Sequence, residues 1–470
     1  MCADTVYVWE DDPGAPPSSR SPVARPAPKL DQPPLPVVIE GSVPGAFHSS
    51  DYKLRYWSAA DAARRTIDWV KEAVPGELKW HKDVGRKLTV HLDDGERFNA
   101  WYNRTGVYFF HGTANNQTIY SAESPDIVSH EMGHAVLDAI NPRLFGVNDP
   151  QVYAFHEAFG DISSMLSSLT VDGFCSAVIF DTGGDLKKSS RLSRTGEQMA
   201  WALRRSRPHK VEQTCLRDAA NEFYYMDPMT LPLRAPAVQL CAEEHSFSRV
   251  FSAAFLDALA ETFYGNTVER LQDSAKEMAK ILVAAVAATP MSTRHFADVA
   301  AHMLAVDRVM YSGSHSVELR AAFVDRGILS LSESSELTQA VLDSGTEAIE
   351  RVIGAETLEW PELSAMPMPG ARYGLRENFL VIAPSEPPRF VNPVPPNGDD
   401  ENRPQRAATF FVDSLFSQGE IRVPDELITE KSPMYRQIES YTHEIVRAAS
   451  GLYELRRVGF DDSNEGKGHP

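Results

Sequence analysis

The sequence predicts an α+β fold of two lobes, an N-terminal lobe with a β-sheet and a mainly helical C-terminal lobe, with a cleft between them. A small C-terminal α/β extension is expected to follow. Apolar and polar residues alternate between positions 87 and 102, as in strands, whereas from residue 124 the apolar residues recur at helical spacing. Ten of the 32 prolines lie between Pro13 and Pro44, and another ten lie between Pro361 and Pro404.

The two proline-rich stretches mark the predicted boundaries, because proline fixes φ and removes a backbone donor. We expect them to be extended or disordered rather than packed. The chain is therefore divided into a disordered tail (1–46), an N-terminal α/β lobe (47–141), a helical C-terminal lobe (142–350), a proline-rich connector (351–405) and a small α/β extension (406–470).

In the N-terminal lobe, Ser58 is expected to cap a helix over residues 59–73, which ends at Pro75-Gly76. Two alternating segments, 87–92 and 98–102, are joined by Asp93-Asp94-Gly95, which predicts two strands connected by a turn. A second short pair of strands is predicted at residues 107–110 and 118–120.

Two helix starts are strongly signalled. Ser124-Pro125-Asp126 combines a capping hydroxyl, proline at the first helical position and a carboxylate in the first turn, so a helix should run to about Ile140. Asp149-Pro150 opens a second helix to about Leu169. Further helices are predicted at residues 246–263, 267–288, 293–309 and 316–325. In the extension, strands are predicted at 407–412 and 451–458, around a helix near 434–449.

The composition excludes several classes of protein. The net charge of −19 argues against binding to nucleic acid or to an anionic membrane, because both need a basic face. No run of 18 apolar residues and no secretory signal is visible, so a cytoplasmic location is expected. The four cysteines show no paired spacing, which predicts neither disulfides nor a cysteine metal site. The oligomeric state cannot be predicted.

The first strongly signalled helix carries His130-Glu131-Met132-Gly133-His134. Histidines at i and i+4 lie one turn apart on the same helix face, so both imidazoles can reach one metal ion. Glu131 stands beside them, where it can contact a metal-bound water. Asp138, four residues after His134, could orient that ligand.

The following helix contains Glu157 in an otherwise apolar stretch. A buried carboxylate is costly unless a cation neutralises it, and a catalytic zinc usually takes three protein ligands. We therefore expect His130, His134 and Glu157 to hold one Zn²⁺. Asp161, one turn further on, could accept a hydrogen bond from a ligand histidine.

These motifs resemble those of the thermolysin-like zinc metallopeptidases, the gluzincins in which HExxH is followed by a glutamate in an NEAxSD-like motif. In this sequence the second motif is His156-Glu157-Ala158-Phe159-Gly160-Asp161, with histidine and glycine at the places of the Asn and Ser. The resemblance extends over roughly residues 50–335. It implies the two-lobe fold of that family with its zinc site in the cleft.

The resemblance also implies roles for residues outside the two motifs. Asn99 and Ala100 correspond to an edge strand that pairs with an extended peptide substrate, and His245 corresponds to the histidine that stabilises the tetrahedral intermediate. Tyr153 is the candidate for the transition-state tyrosine, and Arg191 resembles the arginine that contacts the substrate carbonyl. The residue that orients His245 is left open. The acidic cluster that binds calcium in many members is not evident, so no double calcium site is expected.

The function implied is hydrolysis of internal peptide bonds in a peptide or protein substrate, with Glu131 as the general base. One alternative is a zinc aminopeptidase of the other HExxH–Glu branch, whose GxMEN-type sequence is not found here. A second alternative is a metal-stabilised binding protein without turnover, although a purely structural zinc site normally has four protein ligands.

Overall fold

A computed structural model describes residues 5–74, 76–356, 358, 363–384, 402–429 and 441–461. These residues form a mixed α and β fold. The helices are α1 (Ser50–Ala73), α2 (Pro125–Ile140), α3 (Pro150–Ser168), α4 (Asp172–Thr182), α5 (Glu197–Leu203), α6 (Glu244–Thr262), α7 (Val268–Ala288), α8 (His295–Tyr311), α9 (Ser316–Asp325), α10 (Glu333–Ile353) and α11 (Arg403–Gln418).

The strands are short. They are β1 (Thr5–Val8), β2 (Val23–Pro26), β3 (Val37–Ile39), β4 (Leu88–His91), β5 (Ala100–Asn103), β6 (Gly106–Phe109), β7 (His111–Ala114), β8 (Gln117–Tyr120), β9 (Arg194–Thr195), β10 (Arg217–Asp218), β11 (Ser364–Met368), β12 (Phe379–Ala383), β13 (Ile421–Arg422), β14 (His443–Arg447), β15 (Tyr453–Arg457) and β16 (Phe460–Asp461).

The two helices that position the site begin where their capping residues predict. The Ser124 side chain accepts a hydrogen bond from the backbone of Ile127, and Asp149 accepts hydrogen bonds from the backbones of Gln151 and Val152. The prediction for α1 is wrong at its start. That helix begins at Ser50, because Ser58 is buried within it and accepts a hydrogen bond from the backbone of Trp9.

The predicted hairpin around residues 93–95 does not form. A five-stranded sheet has the order β16-β5-β6-β4-β3, in which β4 pairs in parallel with β6 and β5 pairs antiparallel with β6. The predicted pairing of residues 107–110 with 118–120 is also wrong, because β8 pairs with β7 in a separate sheet. The strands themselves were predicted from alternation, but their partners depend on distant parts of the chain.

The prediction of a disordered tail is wrong for residues 5–46. Strand β1 pairs antiparallel with β2, and β3 joins the edge of the five-stranded sheet beside β4. Alternate residues of β1 and β3 are buried, namely Val6, Val8, Val37 and Ile39. The prolines favour extended backbone, and extended backbone is what an edge strand requires.

The C-terminal part also departs from its prediction. Strands β11 and β12 fall within the predicted connector and join a second five-stranded sheet, of order β11-β12-β15-β14-β13. The segment 407–412 is helical rather than a strand, whereas β15 confirms the strand predicted at 451–458. The helix predicted near 434–449 is wrong from residue 443, where β14 forms, and residues 434–440 lie outside the described residues. The acidic Gly-Asp-Asp-Glu sequence at residues 398–401, in the predicted connector, also lies outside the described residues.

One continuous cluster of buried apolar side chains extends from Leu35 to Phe460. Helix α3 lies at its centre, packed between α2 and α6 and also in contact with α11. The division into two lobes and a separate extension stays a prediction. Within the described residues, no helix on its own has both the length and the apolar character needed to cross a membrane, and only the bent pair of α3 and α4 meets those criteria together.

Candidate active site

The three residues predicted as metal ligands lie together in the structure. The Nε2 atom of His130 is 3.3 Å from one Glu157 oxygen, and the Nε2 atom of His134 is 3.6 Å from the other. One donor atom from each residue lies within 4.8 Å of the others, and all three side chains are buried. The rings of the two histidines stand edge to face, with centroids 4.7 Å apart. Helices α2 and α3 therefore aim two imidazole nitrogens and a carboxylate at one point.

Two glycines let α2 and α3 approach closely enough for this arrangement. A Cβ atom on Gly160 would lie 2.5 Å from the ring of His130, and one on Gly133 would lie 2.6 Å from the hydroxyl of Ser163. Real Cβ atoms do not come so close to other heavy atoms. The glycine at position 160, which departs from the NEAxSD-like motif, therefore provides the space that the His130 ring fills.

The chemistry of the cluster fits a zinc ion. Both carboxylate oxygens of Glu157 are buried, and neither accepts a hydrogen bond from any residue that the structure describes. A buried carboxylate in this state is costly without a neutralising cation. Burial, together with the neighbouring His130 and His156, holds the pKa of His134 well below its ordinary value, so its ring is neutral and can coordinate a metal. Two imidazoles and one carboxylate are also the donor set of many catalytic zinc sites.

Asp161 contacts one of the two predicted ligand histidines. Its Oδ1 atom lies 3.0 Å from Nδ1 of His130. The guanidinium of Arg217 donates to both oxygens of the same carboxylate, at 2.9 and 3.1 Å. Burial would raise the pKa of Asp161, but Arg217 and His130 hold it well below its usual range. The ionised carboxylate thus favours the His130 tautomer with a proton on Nδ1, which leaves Nε2 for a metal.

Arg217, on β10, was not predicted from the sequence, and the substrate contact expected of Arg191 stays a prediction. Arg191 forms ion pairs with Asp11 and Asp181, whereas Arg217 lies 3.4 Å from Nδ1 of His130. Arg191 was expected from the resemblance to the family, and the loops around β9 and β10 have no periodic pattern that would have indicated Arg217. The available signal was an arginine between the apolar Leu216 and the acidic Asp218, which is weak.

The expectation that Asp138 orients His134 is wrong. Asp138 accepts hydrogen bonds from the hydroxyl of Tyr102 at 2.9 Å and from Arg104 at 2.6 and 3.0 Å. The Nδ1 atom of His134 instead lies 3.3 Å from Nδ1 of His156 on α3. The i+4 spacing places Asp138 on the correct face of α2, but its carboxylate is held by the neighbouring β5 and the turn that follows it.

His245, predicted as a catalytic residue, lies against the same cluster. It belongs to the first turn of α6, and its Nε2 atom is 3.2 Å from a Glu157 oxygen. On the other side of the ring, Nδ1 lies 2.6 Å from the carboxylate of Glu243, which also caps α6 by accepting from the backbone of Ser246. Burial would lower the pKa of His245, but Glu157 and Glu243 raise it well above its ordinary value. Glu243 is therefore the residue that orients His245, although the two are close in sequence.

The remaining predicted residues lie nearby. Glu131 follows His130 on α2 and is fully buried. Asn99 and Ala100 are buried at the start of β5, and the Asn99 side chain accepts from the backbone of Ala100 at 2.8 Å. Strand β5 packs against α2, the helix that carries His130 and His134.

Tyr153 lies one turn before Glu157 on α3 and is fully buried. Its ring packs against Phe411, His443 and Phe460, and the guanidinium of Arg457 lies 3.7 Å from its centre. All of these contacts come from the C-terminal part of the chain, which the resemblance does not cover. A role for Tyr153 in the transition state stays a prediction.

The sequence matches the family model of the thermolysin metallopeptidase catalytic domain over residues 57–138. That span contains most of α1, strands β4 to β8 and the HExxH segment of α2. No curated protein matches the chain. Glu157 lies beyond the matched span, but the structure brings it to the two histidines. The resemblance to the thermolysin-like zinc metallopeptidases is thereby confirmed, and it supports a zinc-dependent peptidase.

Proposed function

We propose that this protein is a zinc-dependent endopeptidase, which hydrolyses internal peptide bonds. The observation that carries the proposal is the buried cluster of His130, His134 and Glu157, with Glu131 next in sequence to the first ligand. Three ligands suit a catalytic zinc, because a fourth position remains for water or substrate.

The side chains of His130, His134 and Glu157 would hold the ion. When bound, zinc polarises the scissile carbonyl and lowers the pKa of water from about 15.7 towards about 7. Asp161 keeps the His130 ring in the required tautomer through its contact of 3.0 Å. Arg217 keeps Asp161 ionised and in place.

Glu131 is the proposed general base. It would accept a proton from the attacking water and later deliver that proton to the leaving amine. It follows the ligand His130 directly on α2, and its carboxylate is buried in this conformation.

His245 is the proposed donor to the oxyanion that develops on the scissile carbonyl. Glu243 contacts Nδ1 and so leaves Nε2, the atom that faces the metal cluster, to donate. The contact with Glu243 thereby favours a ring whose Nε2 carries a hydrogen, which a donor to the oxyanion requires. Such a donor typically contributes about 10²–10³ in rate.

Strand β5 is the proposed binding surface for substrate. An extended peptide paired with β5 on the side away from β6, in place of β16 and beginning at Asn99 and Ala100, would gain affinity from backbone hydrogen bonds with little side-chain selectivity. The peptide would run alongside α2, so a bond in its interior could reach Glu131 and His245.

A peptide blocked at both ends distinguishes the endopeptidase from an aminopeptidase. The zinc-loaded protein should cleave such a peptide at an internal bond, and a chelator should stop the reaction until zinc is restored. If only peptides with a free amino terminus are cut, one residue at a time, the endopeptidase proposal is wrong.

The variant Glu131→Gln tests the general base without removing a metal ligand. It should bind zinc as the wild type does and lose hydrolysis, whereas Glu269→Gln in the first turn of α7 should leave both unchanged. Full activity of Glu131→Gln would refute this assignment.

A further inference from the structure

The outer edge of β5 carries a strand from the C-terminal part of this same chain. Strand β16 pairs antiparallel with β5, with Phe460 opposite Tyr102 and Asp461 opposite Trp101. The preceding Gly459 lies so close that a Cβ atom on it would be 2.7 Å from the carbonyl oxygen of Tyr102. An edge strand can pair with one partner at a time on its free side.

The Phe460 side chain fills a pocket at the metal cluster. Its ring stacks on His134, with centroids 4.6 Å apart and planes at 13°, and on His156, at 3.9 Å and 24°. Phe145 and Tyr153 contact it at 5.4 Å each, and Arg457 lies 4.5 Å from the ring centre. We call these five residues the aromatic pocket. Phe460 is fully buried in it.

We propose that the edge of β5 and the aromatic pocket form a binding site for an extended segment with an aromatic side chain. The chain's own residues 459–461 occupy this site and exclude substrate. The inference rests on the proposed function, since that assigns the same edge of β5 to the peptide. Binding by strand addition gives affinity through the backbone, and the pocket adds selectivity for an aromatic ring.

The surrounding structure holds this occupant in place. Arg457, three residues before Phe460, donates to the carbonyl of Phe145 at 2.8 Å and covers the ring of Tyr153. Strand β15, which contains Arg457, is anchored in the second five-stranded sheet. A tethered segment has an effective concentration of about millimolar, so even modest intrinsic affinity keeps the site filled.

The reacting groups are buried in the conformation that has the C-terminal strand in place. Glu131 and Glu157 are fully buried and His245 is 3% exposed, so a peptide cannot contact them without a change in structure. Displacement of residues 459–461, by competition or by removal, would open the edge of β5 to substrate. The protein is therefore latent in this conformation.

Two variants of the full chain dislodge the strand by different means. Gly459→Val places a side chain against the backbone of β5, and Phe460→Asp removes the ring from the aromatic pocket. Leu452→Asp is the matched control, because Leu452 is 56% exposed in the turn between β14 and β15. Zinc content and thermal unfolding of each protein are measured alongside.

The first readout is binding of a fluorescent peptide with the sequence of residues 455–461, in the Glu131→Gln background so that the peptide stays intact. Both strand variants should bind it at least about tenfold more tightly than the wild type and the control, because a site that is mostly filled lowers apparent affinity by its open fraction. The second readout is hydrolysis of a blocked peptide with Glu131 present, which should accelerate by a similar factor at equal zinc content.

Equal binding by all four proteins would overturn the inference and leave the proposed function standing if they hydrolyse the blocked peptide. Tighter binding by the strand variants without hydrolysis by any protein would support the occupied site and refute the proposed function. If the variants do not fold, hydrogen exchange of the backbone amides in the wild type tests the inference instead. Slow exchange across residues 100–103 and 459–461 supports the inference, and exchange at the rate of an unpaired strand overturns it.

Discussion

The Nδ1 atom of His130 lies 3.0 Å from the Oδ1 atom of Asp161, and that carboxylate is in turn held by the guanidinium of Arg217. The chain of contacts runs from β10 through α3 to α2. It joins three segments far apart in sequence, and it ends on the nitrogen opposite the one that faces Glu157. The orientation of a proposed metal ligand thus depends on a residue that no motif identifies.

Replacement of Arg217 should therefore weaken metal binding. The variant Arg217→Lys cannot form the bidentate hydrogen bonds that the guanidinium donates to Asp161. We expect zinc affinity, measured by competition with a chelator, to fall about 10–100-fold. The control is Arg191→Lys, because Arg191 pairs with Asp11 and Asp181 rather than with Asp161. Equal zinc affinity of the two variants would show that Arg217 does not support the site.

The close packing of α2 on α3 gives a second prediction. In Gly160→Ala the new methyl group would meet the His130 ring at 2.5 Å, so the ring or the helix must move. We expect a loss of about 1–3 kcal/mol in the free energy of unfolding, together with weaker zinc binding. Gly146→Ala is the matched control, since a Cβ atom there has no neighbour within 4 Å. Unchanged zinc affinity in Gly160→Ala would contradict the geometric account.

The pair of Glu243 and His245 should affect turnover rather than metal content. We expect His245→Ala to lower kcat by about 10²–10³ with zinc stoichiometry unchanged. Glu243→Gln should lower kcat less, because the amide still caps α6 and can orient the ring without its charge. A smaller loss of kcat in His245→Ala than in Glu243→Gln would reverse the order that this contact implies.

The raised pKa of Asp149, which caps α3, predicts that the stability of the protein depends on pH. Burial raises its pKa from 3.8 to about 7, so the folded state holds this proton more tightly than the unfolded state. The group therefore favours folding most at low pH, and this contribution is lost as the pH rises from about 4 to about 7. The slope is at most about 1.4 kcal/mol per pH unit.

The variant Asp149→Asn keeps an oxygen for the backbones of Gln151 and Val152 but cannot titrate. Its free energy of unfolding is measured with denaturant at a series of pH values. Relative to that of the wild type, it should increase as the pH rises from 4 to 7. Asp172→Asn, at the exposed start of α4, serves as the control. Parallel stability curves for Asp149→Asn and the wild type would contradict the prediction.

Local signals in the sequence predicted the helices that carry the site. The starts of α2 and α3 follow from Ser124-Pro125 and Asp149-Pro150, because a cap and a proline act within one turn. The three clustered ligands followed from helical spacing and from the cost of burying Glu157. These features depend on few residues, and most of them are close in sequence.

Features set by distant contacts were not predicted. The pairing of β4 with β6 and the approach of Arg217 to Asp161 depend on how separate segments meet. The apolar run at 407–412 suits either a strand or a buried helix. Packing against the second sheet stabilises the helix, α11. The ring of Phe460 stacks on that of His134, although the two residues are more than 300 positions apart in the sequence. No sequence motif indicates this contact.

Diffraction from zinc-soaked crystals, recorded on both sides of the zinc absorption edge, tests the central claim most directly. We predict one anomalous peak within about 2 Å of Nε2 of His130, Nε2 of His134 and a carboxylate oxygen of Glu157. A peak bound elsewhere, or one that Glu157 does not contact, would contradict the account of a catalytic zinc site.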